Sequence, residues 1–243
     1  QYPHTTLVNA DYSSMENLLL VNISLEPNLI AFYDLEDADM HCYVASKVFP
    51  ELAELDFNTI KKEHSDKRSL AKKGGFALVF GGTGFTVSNN LGIPREVGDA
   101  FEEGYFRAFP KLKDFFDFRF NETMKNGYIT INPWTNSKLF VHGIDHIRRL
   151  VTKYSFDNKE FWNEYKKEKA LDSDKFKIMK ESMSNYFKVV GKLKRNSQNY
   201  IIQGSSASVT KMAVILFYNY IVKNNLLGKV LISNVVHDRI CRG

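Results

Sequence analysis

Apolar residues at a steady spacing of four, Met40, Val44, Val48 and Leu52, predict a helix over residues 37 to 54. Two earlier runs, Leu18-Leu-Leu-Val-Asn-Ile23 and Leu29-Ile-Ala-Phe-Tyr33, are continuous rather than periodic and flank Pro27-Asn28. They read as two buried strands around a turn, with Asp34 at the end of the second. Further on, Arg68, Lys72, Phe76 and Phe80 recur every fourth residue, so on a helix they form one stripe, cationic at its start and aromatic at its end. Ile93-Pro-Arg-Glu96 opens another helix, which carries Ala100, Phe101, Tyr105 and Phe106 toward Pro110. Asn126-Gly127 with Tyr128–Ile131 and Lys138–Val141 predicts a hairpin with a long connection. Residues 148 to 194 are rich in Lys, Glu, Asp and aromatics and read as exposed helices inserted into the fold. Residues 198 to 223 form a long amphipathic helix, and the β-branched run Val230–Val236 is a strand that ends in His237-Asp238.

At 243 residues, 44% hydrophobic and 25% charged, the composition is that of an ordinary globular protein and excludes a disordered chain. No apolar run approaches the roughly 20 residues that span a bilayer, and no basic segment followed by an apolar one opens the chain, so a soluble, intracellular protein without a membrane partner is expected. Cys42 and Cys241 are the two cysteines, which makes free thiols in a reducing compartment the default. The net charge of +5 permits a polyanionic partner without requiring one.

The stripe of Arg68, Lys72, Phe76 and Phe80 has the shape of demand of a nucleoside triphosphate: cations for phosphates, then an aromatic face for a sugar or base. By itself it reads as an amphipathic helix with basic residues snorkelling over a Phe core. Asp34 and Asp238 are likewise turn chemistry when taken singly. Together, as two strand-end carboxylates bracketing a cationic helix, they suit two hard divalent cations such as Mg²⁺, which can activate a hydroxyl and stabilise a leaving pyrophosphate.

In this order the segments resemble the family A, polymerase I-like, DNA polymerases. Asp34-Leu-Glu-Asp-Ala-Asp39-Met-His41 is similar to the first palm motif, in which an Asp binds metal and an acidic residue five positions on contacts the sugar-selecting region. Arg68 through Gly81 resembles the nucleotide-binding fingers helix. Arg195-Asn-Ser-Gln-Asn199-Tyr-Ile-Ile-Gln203-Gly204 resembles the segment that touches primer and template, and Val235-Val-His237-Asp238 resembles the last palm motif. The resemblance implies an α/β (α+β) fold: a palm with an antiparallel sheet, formed by residues 1–57 and 195–243, and helical fingers at 58–194 that carry the charged insertion at 148–194. Thumb and exonuclease would lie outside this chain, on a separate polypeptide or a missing part.

The implied reaction is template-directed DNA synthesis, in which a primer 3′-hydroxyl attacks a dNTP and pyrophosphate leaves. Asp34 and Asp238 would bind two Mg²⁺ ions. Arg68 and Lys72 would neutralise the triphosphate, with Lys72 also protonating the leaving group. Phe76 would pack on the sugar, Phe80-Gly81 would border the templating base, and Asp39 and His41 would line the nucleotide site. Arg195, Asn199, Gln203 and His237 would contact primer-template DNA, with Lys188, Lys192, Lys194 and Lys211 available to phosphates. Against the family pattern, Asp39 replaces Glu, Phe80 replaces Tyr and Arg239 replaces Glu, while Gly74-Gly75 should soften the fingers helix. The compact motifs and the insertion resemble phage members of the family, which would act in a host cytoplasm. A single-subunit RNA polymerase and a non-catalytic nucleic-acid-binding remnant are the competing readings.

Overall fold

In the computed structural model, which describes residues 6, 8–12, 14–36, 38–236 and 239–242 and side chains as far as residue 232, the N-terminal apolar runs are helices rather than the expected strands. Helix α1 spans Met15–Ser24 and α2 spans Pro27–Phe32. A short continuous apolar run fits a buried strand or a buried helix equally well by pattern. Here tertiary burial decides, because Leu19, Leu20 and Val21 of α1 and Leu29 and Phe32 of α2 all enter the main core. Pro27 is the first residue of α2, where a missing N–H costs nothing. The fully buried Glu26 caps α2 by accepting from the Asn28 N–H at 3.1 Å. It also accepts from the Lys111 N–H at 2.8 Å, at the start of α8 (Pro110–Asn126). One carboxylate thus serves two helix N-termini, whose partial positive charge favours it. Asp34 lies in the exposed turn after α2, so the strand end that its metal role required does not exist there.

The predicted helix at 37–54 is α3 (Met40–Val48), which Pro50 cuts short; a 3-10 turn at Pro50–Leu52 continues the buried row of Val44, Val48 and Leu52. Helix α4 (Phe57–Glu63) leads into the stripe helix α5 (Ser65–Val79), followed by α6 (Gly84–Leu91) and α7 (Arg95–Ala108). Strands β2 (Tyr128–Asn132) and β3 (Ser137–Phe140) form the expected antiparallel hairpin. Helices α9 (Ile144–Lys153) and α10 (Lys159–Ala170) belong to the charged region. Helix α11, Asp174–Lys223, runs for 50 residues with no break between that region and residues 195–203, so it starts well before the expected residue 198. A small cluster of Ile129, Ile147 and Leu193 seats the hairpin and α9 against α8 and α11.

Strands β4 (Ile232–Val236) and β5 (Arg239–Arg242) join a strand the sequence reading did not anticipate, β1 (Val8–Asp11). The three form an antiparallel sheet in the order β1-β5-β4. Contrary to the expectation from sequence, one helix is long and apolar enough by composition to cross a bilayer: α11 contains an 18-residue window of mean hydropathy 1.2. The buried Ile201, Ile202 and Ser205 tie it to the protein core as a packed helix, while Met212, Ile215, Leu216 and Tyr220 face outward.

Helix α5 crosses α7 at its glycines. A Cβ added at Gly74 would come within 2.6 Å of the Phe101 ring, whereas one at Gly75 would meet Tyr105 at 3.4 Å, an ordinary contact. Gly74 is therefore the point of closest approach of two helices, and the packing it permits offsets its poor helix propensity. Gly74→Ala should lower stability by about 1–3 kcal/mol, because the buried Phe101 must move. Gly75→Ala should be neutral or stabilising by up to ~1 kcal/mol. Urea midpoints of the two variants check this, and equal effects would refute the assigned crossing point.

Candidate nucleotide and metal site

The stripe predicted on α5 is real, and its two ends are held differently. At the cationic end, an Arg68 N–H donates to the Asp39 carboxylate at 2.6 Å, and about a quarter of each side chain remains exposed. The same carboxylate caps α3 by accepting from the N–H groups of His41 and Cys42, both at 3.0 Å. Burial acts to raise the Asp39 carboxyl, but the Arg68 hydrogen bond, the Cys42 N–H, the Arg68 charge and the His41 N–H outweigh it and bring it down to about 2. Asp39 is thus committed to a helix cap and an ion pair, which is a different use from the sugar gate expected of it.

In the middle of the stripe, Lys72 and Phe76 are exposed. Together with His41 and Asn17 they rim a cleft between α1, α3 and α5 whose floor is apolar, formed by Leu20, Val44 and Ala71. The cleft is too small to enclose a nucleotide, so a ligand there would lie across its rim. The His41 ring lies 6.3 Å from that of Phe76; burial first, and then the charges of Lys72 and Arg68, hold its pKa below the usual value against the pull of Asp39. Phe76 and Phe80 stack with centroids 6.1 Å apart and planes within 9°.

The aromatic end of α5 docks into the middle of α11. The Asn199 amide donates to the Phe80 carbonyl at 3.2 Å, across a separation of 119 residues. Gly81 follows with φ of 80°, and a Cβ there would fall 2.6 Å from the Arg195 side chain and 2.7 Å from that of Gln198. A left-handed residue without a Cβ is what lets the chain turn against α11. The two sequence strings, Arg68–Gly81 and Arg195–Gln203, therefore meet at one point. Asn199 is half-buried as part of that joint, whereas Arg195 and Gln203 are exposed on α11.

The three-stranded sheet brings in a carboxylate that the sequence reading did not use. Asp11, the last residue of β1, pairs in register with Arg239 of β5. His237 and Asp238, between β4 and β5, lie outside the described residues, but Asp238 is bonded to Arg239 in the chain. Asp11, and not Asp34, therefore ends a strand that pairs with β5, whose first residue Arg239 follows Asp238 in the chain. Glu16 falls five residues after Asp11, in the first turn of α1, next to the Asn17 that rims the cleft. Glu16 stands after Asp11 at the spacing of Asp39 after Asp34, and it is a Glu, as in the family pattern. Among the described residues no group of three or more His, Cys, Asp or Glu side chains could by itself hold a metal ion.

A helical body that carries the stripe, together with a sheet of this topology, is the fold of part of a polymerase domain. Residues 1–242 match the profile of DNA polymerase family A, and the chain belongs to that family. It is 28% identical over 240 residues to DNA polymerase I of Streptococcus pneumoniae serotype 4, covering 99% of this chain and 22% of the relative. Identity to DNA polymerase I of Caldicellulosiruptor bescii is 25% over 234 residues, covering 96% and 22%. The POL domain of Pol1 from M. smegmatis, in complex with DNA primer-template and dNTP, superposes with a TM-score of 0.67 at 20% identity, covering 98% of this chain and 33% of that one. The chain therefore spans about a fifth of the length of these curated relatives. The likeness to phage members, drawn from the compact motifs and the insertion, gains no support from these bacterial relatives.

The Asp39 pairing has a pH signature. Its folded pKa of about 2 lies below the ordinary 3.8, so its contribution to stability is complete above pH 3.8 and is lost as pH falls through 2. Asp39→Asn keeps a capping side chain and removes the ion pair. It should cost on the order of 1 kcal/mol at neutral pH, reduced by solvent screening, and the difference from wild type should vanish near pH 2 in acid titrations followed by circular dichroism.

Proposed function

We propose that this chain is the nucleotide-binding and catalytic part of an intracellular template-directed DNA polymerase, which adds dNTPs to a primer 3′-hydroxyl. The observation that carries this reading is the docking of the cation–aromatic helix α5, at Phe80-Gly81, onto Arg195 and Asn199 of α11. A triphosphate site and a primer-template site so joined are what template-directed transfer needs, because the incoming base must meet the template where the helix ends. The solved relative bound to primer-template and dNTP supports the same partners.

In this reading Lys72, exposed in mid-stripe, neutralises the triphosphate and donates a proton to the departing pyrophosphate. Arg68, steered by Asp39, adds a second cation one turn away. Phe76 presents its ring to the sugar, His41 stands behind it, and Glu16 at the start of α1 takes the place of the sugar gate. Arg195 and Gln203 face the duplex, and His237 lies next to the catalytic acid in the chain. Asp11 and Asp238 fit Mg²⁺ by donor chemistry, as hard oxygen ligands, the first at the end of β1 and the second next in the chain to Arg239, the register partner of Asp11. Two Mg²⁺ ions held there would supply charge stabilisation for the attacking hydroxyl and the leaving group.

Primer extension by this chain with Mg²⁺ is the decisive test. Asp11→Asn and Asp238→Asn should each reduce extension by at least about 10²-fold while duplex binding persists, and Asp34→Asn should leave the rate within about twofold. Loss of activity in Asp34→Asn with Asp11→Asn intact would overturn the assignment. Duplex binding without extension under any supplement would identify a binding remnant instead.

Sugar selection gives a separate readout. Glu16→Ala should raise ribonucleotide incorporation relative to deoxynucleotide, whereas Asp39→Ala should act through triphosphate affinity. Phe76→Tyr should relax rejection of dideoxynucleotides, because the added hydroxyl supplies what the substrate lacks. Unchanged discrimination in active variants would remove these residues from the sugar site.

A further inference from the structure

The charged insertion forms a helical hairpin of α10 against the first half of α11, closed by an ion pair between Lys175 and Glu164. Aromatic edges replace an aliphatic core: Tyr154 meets Phe161 at 5.0 Å and Tyr186 at 4.9 Å, and Tyr165 meets Phe176 at 5.3 Å. One side of this hairpin is an open groove lined by Tyr165, Lys180, Ser184, Phe187, Lys188 and Arg195. No carboxylate lines it, and Lys180, Lys188 and Arg195 form no ion pair among the described residues. Of the nearby acids, Glu164 is spent on Lys175, and Glu168 accepts from the Ser173 hydroxyl at 2.6 Å. Phe187 is 62% exposed, an unusual place for a bare ring.

The groove has a direction. Lys180, Ser184, Phe187, Lys188 and Arg195 follow one face of α11, about 22 Å long at 1.5 Å per residue. The Arg195 side chain lies back along that face, with its guanidinium 3.4 Å from a Cβ built at Gly191, and its stem abuts Gly81. The groove therefore starts where α5 ends, at the point assigned to the templating base, and leads away from it along the hairpin.

We infer that this groove binds the single-stranded template ahead of the templating base. The inference rests on the polymerase reading above and adds a surface to it. Cations spaced along a groove neutralise a phosphate backbone, and exposed rings accept bases by stacking whatever their sequence, the combination suited to an unpaired strand. A duplex would present no free base faces to Phe187 or Tyr165. At 22 Å the face accommodates roughly four nucleotides, the lower end of the range for such sites.

Fluorescence anisotropy with the whole chain tests this, using primer-templates whose 5′ template overhang is one nucleotide or about ten, and a thymidine oligonucleotide of about twelve. Wild-type affinity should rise with overhang length. Phe187→Ala and the double variant Lys180→Gln/Lys188→Gln, exposed positions that should leave folding intact by circular dichroism, should each weaken the long-overhang complex roughly fivefold or more and spare the short one. The lysine variant should also lower the salt slope by about 0.7 per residue. Equal wild-type affinity for short and long overhangs, or equal weakening of both by the variants, overturns the inference while leaving the polymerase reading in place. If neither duplex is bound, the polymerase reading fails and the free oligonucleotide decides: binding weakened by the variants upholds a single-strand site, and binding that is absent or unchanged removes it.

Discussion

Helix α5 is clamped at three points, and the geometry of the candidate site follows from that clamp. Its first turn is tied to α3 by Arg68 and Asp39, its middle presses glycine against the Phe101 ring of α7, and its last carbonyl is held by Asn199 of α11. Each contact comes from a different element, so the helix has little freedom to rotate about its axis. The stripe is thereby turned to one side, with Lys72 and Phe76 on the rim of the cleft and Ala71 and Leu78 inward. Directional preorganisation of this kind matters where charge stabilisation, rather than covalent chemistry, must lower a barrier. The glycine contact is the most stringent of the three, because a single methyl group would force apart two helices that both reach the main core.

The small sheet imposes a second constraint, of a different origin. Strand β1 near one end of the chain pairs with β5 near the other, across more than two hundred residues, most of them helical. Closure of so long a loop is entropically costly and gains little until the intervening helices have condensed. On that argument Asp11 comes beside Arg239 of β5 once the intervening helices have condensed. Position in a sheet also gives acids a rigidity that a turn such as that holding Asp34 lacks.

Much of this was legible in the chain. Helices α3, α5 and α7 and the β2–β3 hairpin carry the periodicities that mark them, and the two restrictive strings led to the family. What failed was local. Leu18–Ile23 and Leu29–Tyr33 lack a period that separates strand from buried helix, and burial by neighbours settled the matter. The four-residue strand Val8-Asn9-Ala10-Asp11 offers only one short alternation, and its partner lies at the far end of the sequence. Asp34 and Asp39 share their spacing of five with Asp11 and Glu16, so that spacing alone does not choose between the two pairs. The Glu at the later position of the proposed pair was the available signal. The Arg68–Asp39 ion pair and the Asn199–Phe80 bond join residues distant in sequence, and no local pattern encodes either.

The length of α11 links these parts mechanically. Ser197, Gln198, Ser205 and Thr210 are buried along it, small or polar groups that allow close approach of neighbouring elements where bulky side chains would not fit. Within that stretch, Ile201 and Ile202 anchor the helix in the main core; on its N-terminal side the same helix continues as one arm of the aromatic hairpin. Extending an existing helix by whole turns leaves the register of the packed segment untouched, which is why a charged insertion of this size can be carried without disturbing Asn199 or its grip on Phe80. An unbroken helix also transmits orientation. A load on the hairpin face would bear on Arg195 and Gly81 through a rigid rod rather than through a loop, so the hairpin at one end of α11 and the setting of α5 at its middle share a single mechanical element.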